Sequence, residues 1–322
     1  MGKKRNLRLC SFILIGIFLI LPNSCKKESN PVLTTTAVIY ITQTTATCGG
    51  SITSDGGAEV KARGVCWGTN QTPTIADNKT TNSTGTGSFT SIITGLTSNT
   101  TYYARAYATN RAGTAYGSVV SFTTPGAVTD IDGNVYNTVV IGTQVWMMEN
   151  LKTTRYCNGD LIQCITDSTQ WNQYLTTGAY CIYRNNASNA NTYGNLYNWY
   201  AVNDNRYIAP SGWHVPTDAE WTTLTIFLGG DMVSGKLKEA GTTHWASPNT
   251  AATNETGFTA LPGGYRDDLG FFDWITDYLY LWSSTEAEAT VAWYRFMDNN
   301  SGYVIKEVFD KTYGFSVRCI KN

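Results

Sequence analysis

The 322-residue chain lacks a charge excess, with 23 Lys and Arg against 24 Asp and Glu. A nucleic-acid interface led by basic charge is excluded by that balance. Charged residues make up only 15% of the chain, which separates it from charge-rich helical proteins and from disordered ones. Histidine is scarce, with only His214 and His244, and no C-x-x-C pair occurs. Neither a histidine-centred hydrolytic site nor a cysteine zinc site is expected. Beyond residue 25 no apolar run reaches the roughly 20 residues that a membrane-spanning helix needs. What is plentiful is aromatic residues, at 13%, and glycine, at 30 residues. Together they predict packed β-structure with large loops, over a length that suits two domains.

Residues 1–24 read as an export signal: Lys3, Lys4, Arg5 and Arg8 precede an apolar run from Ser11 to Leu21 that is too short for a permanent span. The sequence Leu21-Pro22-Asn23-Ser24-Cys25 resembles a bacterial lipobox, with the leucine one place further from the cysteine than is usual. That resemblance implies lipidation of Cys25 and cleavage before it, leaving residues 25–31 as a lipidated cysteine and short polar tether. The expected location is the outer membrane of a bacterium, with the membrane as a partner through the anchor, and Asp167-Ser168-Thr169 resembles a short O-glycosylation site used in some Bacteroidetes. Cys10 leaves with the signal. Cys48, Cys66, Cys157, Cys164, Cys181 and Cys319 remain in an exported body, where disulfides are expected.

Residues 32–125 contain 24 threonines, one tryptophan and short alternating apolar runs separated by turn clusters such as Ser54-Asp55-Gly56-Gly57. Strands are expected over residues 38–41, 46–52, 60–67, 89–93, 102–108 and 119–122, which make an all-β sandwich. Leu96, Thr100 and Tyr102 follow the pattern L-x-x-x-T-x-Y, and the segment resembles a fibronectin type III domain, which implies that Tyr102 closes a corner by bonding back to the chain. Cys48 and Cys66 fall on strands expected to be neighbours, so a local disulfide is predicted. Nothing in this segment has the residue types of a catalytic site.

Residues 127–322 carry nine of the ten tryptophans, both histidines and four of the six body cysteines. Asp132-Gly133 followed by Val135, Val139 and Ile141 predicts hairpins. Leu196, Trp199 and Tyr200 predict a short helix, and Thr217 with Glu220 forms a capping box ahead of Trp221, Leu224 and Leu228, stopped by Gly229-Gly230. A compact α+β domain follows from these elements. Residues 146–151, 196–201, 212–221, 257–266, 282–286 and 314–319 resemble, in order, the motifs of the Fibrobacter succinogenes major paralogous (FISUMP) domain. That family is in turn similar to the formylglycine-generating, C-type lectin-like fold, so the resemblance implies a lectin-like α+β body after the sandwich.

The resemblance does not imply an enzyme. Formylglycine-generating enzymes use a cysteine pair near the C-terminal end, whereas Cys319 has no second thiol near it in sequence. By order and loop length, Cys319 is expected to pair with Cys181, and Cys157 with Cys164. Asp267, Asp268, His214 and His244 are the residues to weigh for hydrolysis, and their turn or pre-helix settings assign no catalytic residue. No cofactor and no metal are expected, since the calcium-binding motifs of C-type lectins do not occur. Binding is the remaining class. Aromatic rings among Asp and Asn residues suit a glycan or a surface-protein ligand, and the expected contacts are Trp274, Tyr278, Tyr280, Tyr294, Arg295, Asn299, Asn300 and Tyr303.

Overall fold

The computed structural model of the chain describes residues 1–2, 27–172 and 175–322. Residues 3–24 of the expected export signal and the lipidation residue Cys25 lie outside the described residues. The end of the expected tether is pinned to the folded body. Ser29 N donates to Gly56 O at 2.9 Å, Asn110 Nδ2 donates to Ser29 O at 2.7 Å, and Glu28 pairs with Arg111.

Nine strands form the first body: β1 (Val32–Thr35), β2 (Ile41–Thr42), β3 (Ala46–Ser54), β4 (Ala62–Gly68), β5 (Asn78–Lys79), β6 (Gly87–Ile93), β7 (Thr101–Thr109), β8 (Thr114–Tyr116) and β9 (Val120–Thr123). One sheet runs β1-β3-β6 and the facing one β5-β4-β7-β8, with β9 also on β7. Threonine suits the outer faces, because its β-branch fits the pleat and its hydroxyl can bond across strands. Thr101 and Thr123 do so at 2.9 Å, and Thr109 and Thr114 at 2.8 Å. Val65, Ile93, Ala104 and Ala106 fill the space between the sheets. A Cβ added at Gly50 would lie 2.6 Å from that of Ala106, so this glycine sets how closely the sheets approach. Thr97 N donates to the Tyr102 hydroxyl at 3.1 Å, the corner bond that the fibronectin type III-like pattern predicts.

The strand expected over residues 38–41 is broken. Ile39 makes a single bridge to Thr47, and Tyr40 then turns the chain at φ +51°. Its continuation, β2, leaves the sandwich and joins a sheet of the second body.

That body contains β10 (Val128–Thr129), β11 (Val135–Tyr136), β12 (Thr138–Ile141), β13 (Gln144–Met147), β14 (Gln163–Cys164), β15 (Ala179–Cys181), α1 (Ala187–Tyr193), β16 (Leu196–Tyr197), α2 (Trp199–Val202) and β17 (Trp213–His214). Then come α3 (Asp218–Leu228), α4 (Ser234–Leu237), β18 (Gly263–Arg266), β19 (Phe272–Ile275), β20 (Tyr278–Glu286), β21 (Val291–Asp298), β22 (Ile305–Asp310) and β23 (Ile320–Lys321). Two five-stranded sheets dominate, ordered β17-β23-β13-β12-β2 and β19-β18-β20-β21-β22. In the first, Thr42 lies opposite Val139 and Ile41 opposite Val140, so the sandwich supplies an edge strand to its neighbour. The expected hairpins form at β10–β11 and β12–β13. In the first of them, the Asp130 carboxylate accepts from Asp132 N, Asn134 N and the Tyr136 hydroxyl, which organises the turn. The helix expected from Leu196 starts later, because Leu196 and Tyr197 pair with β15 and Asn198 caps α2 instead.

Helix α3 begins and ends where the sequence signals place it. Glu220 N donates to Thr217 Oγ1 at 3.3 Å, Thr217 N donates to the Glu220 carboxylate at 2.8 Å, and Gly229 closes the helix in the left-handed conformation. Its buried face packs Trp221 on Trp146, with ring centroids 4.7 Å apart. Thr217→Ala removes half of the box, and the expected loss is about 1 kcal/mol of unfolding free energy in urea denaturation. A loss below a few tenths of a kcal/mol would show that packing alone fixes the helix start.

Candidate functional site

Alternation along β20 and β21 divides the second five-stranded sheet into two faces. Leu279, Leu281 and Met297 point into a core shared with α3. Tyr278, Tyr280 and Phe296 point the other way, joined by Tyr265 from β18 and by Phe309 and Tyr313, all of them half-buried. Tyr265 and Tyr280 meet edge to face at 5.2 Å, and Phe309 and Tyr313 at 4.3 Å. Tyr280 stacks on Tyr278 and on Phe296, each with centroids 5.8 Å apart. Stacked rings cover each other's faces and leave edges and phenol hydroxyls to solvent. Burial raises the Tyr280 pKa above the ordinary value, and neighbouring phenols add to it. Burial followed by Asp268 does the same for Tyr313. These hydroxyls therefore remain hydrogen-bond donors at neutral pH.

Trp274 ends this row, 5.3 Å from Tyr278 and 52% exposed. Its backbone is in the left-handed region at φ +62°, and that of Thr276 at φ +73°, a conformation that costs about 1–3 kcal/mol for such residues. The surroundings hold it in place. Thr276 N donates to Pro262 O, Ala246 N to Thr276 O, and Asn299 N to Asp277 O, at 2.8–3.1 Å. Asp267, Asp268, Asp273 and Glu307 rim the same face, and Leu269 and Phe271 stand exposed at the tip of the β18–β19 hairpin. The arrangement offers an exposed indole, phenol hydroxyls and carboxylate acceptors on one rigid surface.

Of the eight expected contacts, Trp274, Tyr278 and Tyr280 come together there. Three others are corrected by the structure. Tyr294 is 2% exposed, because Phe309, Phe315 and Trp282 cover it. Arg295 lies on the opposite face, also 2% exposed, and pairs with Asp218 at 2.8 Å. Asn299 is 4% exposed and uses its amide to tie Ser247 O and Asp277 into the fold. Asn300 is exposed in the turn after β21, and Tyr303 lines a separate hollow with Met232 and Lys236. Sequence reasoning missed Tyr265, Phe309 and Tyr313 and left Phe296 out of the expected contacts, because their shared face follows from strand register.

The disulfide expectations are also corrected, because all six cysteines of the body are free thiols. Cys48 sits on β3 and Cys66 on β4, which belong to facing sheets and are not neighbouring strands. The Cys48 thiol is directed to Thr36 O and the Cys66 thiol to Pro73 O. Burial raises Cys48 to about 11 and Cys181 to about 12. Cys181 and Cys319 lie in different core clusters, while Cys164 is exposed on β14 and Cys157 is half-buried in the preceding loop.

His214 lies between Glu220 and Asn322, at 2.8 and 2.7 Å, and His244 against Glu239 at 2.9 Å. Asp267 accepts from Leu269 N and Phe271 N and so shapes its own turn. Among the described residues no group of three His, Cys, Asp or Glu is placed to hold a metal ion. No helix of the described residues is long and apolar enough to cross a membrane.

The fold and this face define a multidomain, β-rich protein with an aromatic, acid-rimmed surface on its second body. Residues 139–321, more than half of the chain, match the Fibrobacter succinogenes major domain, and the chain belongs to that family. Among solved structures it is similar to a myokine structure, at 19% identity over 31% of this chain and 100% of that one, with a TM-score of 0.24. It is also similar to the sensor domain of the anti-sigma factor RsgI4 of Pseudobacteroides cellulosolvens, at 16% identity over 30% of this chain and 97% of that one, with a TM-score of 0.23. A third likeness is to a fibronectin type III domain derived from human KIAA0970 protein, at 13% identity over 32% and 79% of the two chains, with a TM-score of 0.23. At those scores none of the three bears on what the chain does. Among curated proteins none matches.

Proposed function

We propose that the chain is an exported, lipid-anchored envelope protein whose second body, a C-type lectin-like domain, binds glycan through the face that ends in Trp274. The supporting observation is the exposed indole held on strained backbone at the end of a tyrosine row with carboxylates around it. An indole face packs on the apolar side of a sugar ring, and phenols and carboxylates bond its hydroxyls. No catalytic role is assigned to the face. Leu269 and Phe271, exposed at the hairpin tip, favour a second reading in which an envelope protein docks there.

The test is binding of residues 27–322 to a broad panel of immobilised glycans. The whole segment is needed because β2 completes a sheet of the second body. At least one glycan is expected to bind equally well with and without a chelator, and Trp274→Ala is expected to weaken that binding by about tenfold or more, or at least 1.4 kcal/mol. Silence across the panel from a folded sample would remove the glycan reading and leave the protein-docking one. That second reading would then require a partner that co-purifies with the wild-type chain and is lost on changing Leu269 or Phe271 to Ser.

A further inference from the structure

A second constellation lies away from the Trp274 hairpin, on the loop that follows α2. Two cavities of about 350 and 460 Å³ adjoin across Asn203, Asp204 and Asn205, which line both. The loop between them is rigid. The Asp204 carboxylate accepts from Arg206 Nε and Nη2, both at 2.8 Å, and from Arg206 N at 2.9 Å. The same guanidinium reaches Asp160 at 3.3 Å and lies 4.0 Å over the Tyr156 ring. Tyr207 N donates to Asp204 O, and Cys157 N to Tyr207 O, which anchors the loop at its far end.

The groups left for a ligand are neutral. Asp204 is matched by Arg206, and His214, which lines the smaller cavity, has both ring nitrogens engaged by Glu220 and Asn322. Asn203 and Asn205 are exposed, and among the described residues their side chains have no protein partner. Each amide offers two donors and an acceptor, the complement of adjacent hydroxyls. Ser284 borders the smaller cavity, and Thr176, Thr177 and Tyr200 border the larger. Tyr207 stands beside the smaller cavity at 70% exposure, with its backbone at φ +58°. A ring-bearing residue rarely adopts that conformation, and here it directs an aromatic ring into solvent without burying it.

We propose that this loop is a second binding site, for the terminal sugar of a glycan or a similar neutral, hydroxyl-rich group, which extends the glycan reading but stands on different residues. The two amides take vicinal hydroxyls, Tyr207 covers the apolar side of the ring, and the matched Asp204–Arg206 pair holds the loop in shape. Arg206 is shared between Asp204 and Asp160, so the surroundings carry a residual negative charge that disfavours an anionic ligand, while Asp160 lies outside the lining of both cavities and gives a cationic ligand no direct partner.

The test is a titration of isotopically labelled residues 27–322 with glucose, galactose, mannose and N-acetylglucosamine, read by NMR. At least one sugar is expected to shift the Asn203 and Asn205 side-chain amides and the Tyr207 backbone amide. Asn205→Ala and Tyr207→Ala are each expected to weaken that response about tenfold. Both side chains lack hydrogen-bond partners, so neither change is expected to unfold the loop, and a dispersed spectrum checks this. Trp274→Ala is expected to leave the response unchanged. The proposal is overturned if no sugar moves these resonances, or if their shifts persist in both loop variants. Loss of panel binding in Trp274→Ala with silence at residues 203–207 would overturn this site alone, whereas a loop response in a chain that binds no immobilised glycan would overturn the Trp274 face alone.

Discussion

Arg318→Met is expected to lower the unfolding free energy by about 4 kcal/mol, measured by urea denaturation at neutral pH. Arg318 is wholly buried, yet it carries its charge at that pH, since burial lowers its pKa only to about 9. Its guanidinium donates from Nη2 and Nε to Asn150 Oδ1 at 2.6 and 3.2 Å, donates to Phe258 O and Thr259 O, and lies 4.4 Å over the Phe258 ring. It thereby joins the residue 150 loop, the 258–259 loop and the C-terminal segment, three pieces far apart in sequence. Methionine fills much of the volume but donates no hydrogen bond, so two buried acceptors, Asn150 Oδ1 and Phe258 O, and the part-buried Thr259 O lose a partner. Each orphaned acceptor costs about 1–3 kcal/mol, which outweighs the relief of leaving no charge to bury. Arg318→Lys should recover only part of the loss, because one ammonium cannot reproduce the planar fork. A loss below about 1 kcal/mol for the methionine variant would show that water enters and replaces the guanidinium.

Local signals identify structure where the chemistry that makes them is local and no long-range partner competes, as one does for Leu196 and Tyr197, which pair with β15 instead of starting a helix. Thr217 and Glu220 are one helical turn apart, and Tyr102 bonds a residue only five positions back, so each can be recognised without knowing the fold. Strand exchange cannot. Ile41 and Thr42 have the composition of any sandwich strand, and only the partner strand almost 100 residues later shows that they belong to another sheet. The aromatic face lies between these cases. Successive side chains along β21 alternate between two faces, as in any strand, but which of its two sides meets solvent depends on what covers it, and Phe315 and Phe309 bury Tyr294 while leaving Tyr280 and Phe296 half-open. Arg295 follows from the same register, since a one-residue step moves a side chain to the opposite face. The loop at residues 203–207 escaped notice because asparagine and aspartate in a turn look solvated, and the cavities on either side form only when the 176–178 segment and β20 close around it.

The second large effect is expected in alkali, where the folded chain should unfold cooperatively between about pH 10 and 11. Burial is the first cause of a raised pKa for Tyr136, Tyr156, Tyr197 and Tyr294, with Tyr156 pushed up to about 12 and the other three also held above the ordinary value. A folded pKa above the unfolded one gives stability that is whole below the unfolded value, near 10 for a phenol, and is lost as pH rises toward the folded value. By pH 11 each such phenol has ionised in the unfolded chain but not in the folded one, a loss of about 1.4 kcal/mol apiece. The thiols begin earlier, because an unfolded cysteine ionises near pH 8.5 while burial holds Cys181 at about 12 and raises Cys319 as well. Two buried cations work the other way: Lys238 is lowered to about 8 and Arg318 to about 9, so each regains stability as pH rises above its folded value. Their contribution is smaller than that of the four phenols and the buried thiols of Cys48, Cys181 and Cys319 together, and the net loss is expected to exceed about 5 kcal/mol, comparable with the whole stability of an ordinary domain. Circular dichroism and tyrosinate absorbance should therefore change together in one steep step. Gradual tyrosinate formation near pH 10, with the circular dichroism intact, would mean that these rings are open to water and that the core around Tyr136 and Tyr197 is looser than its packing implies.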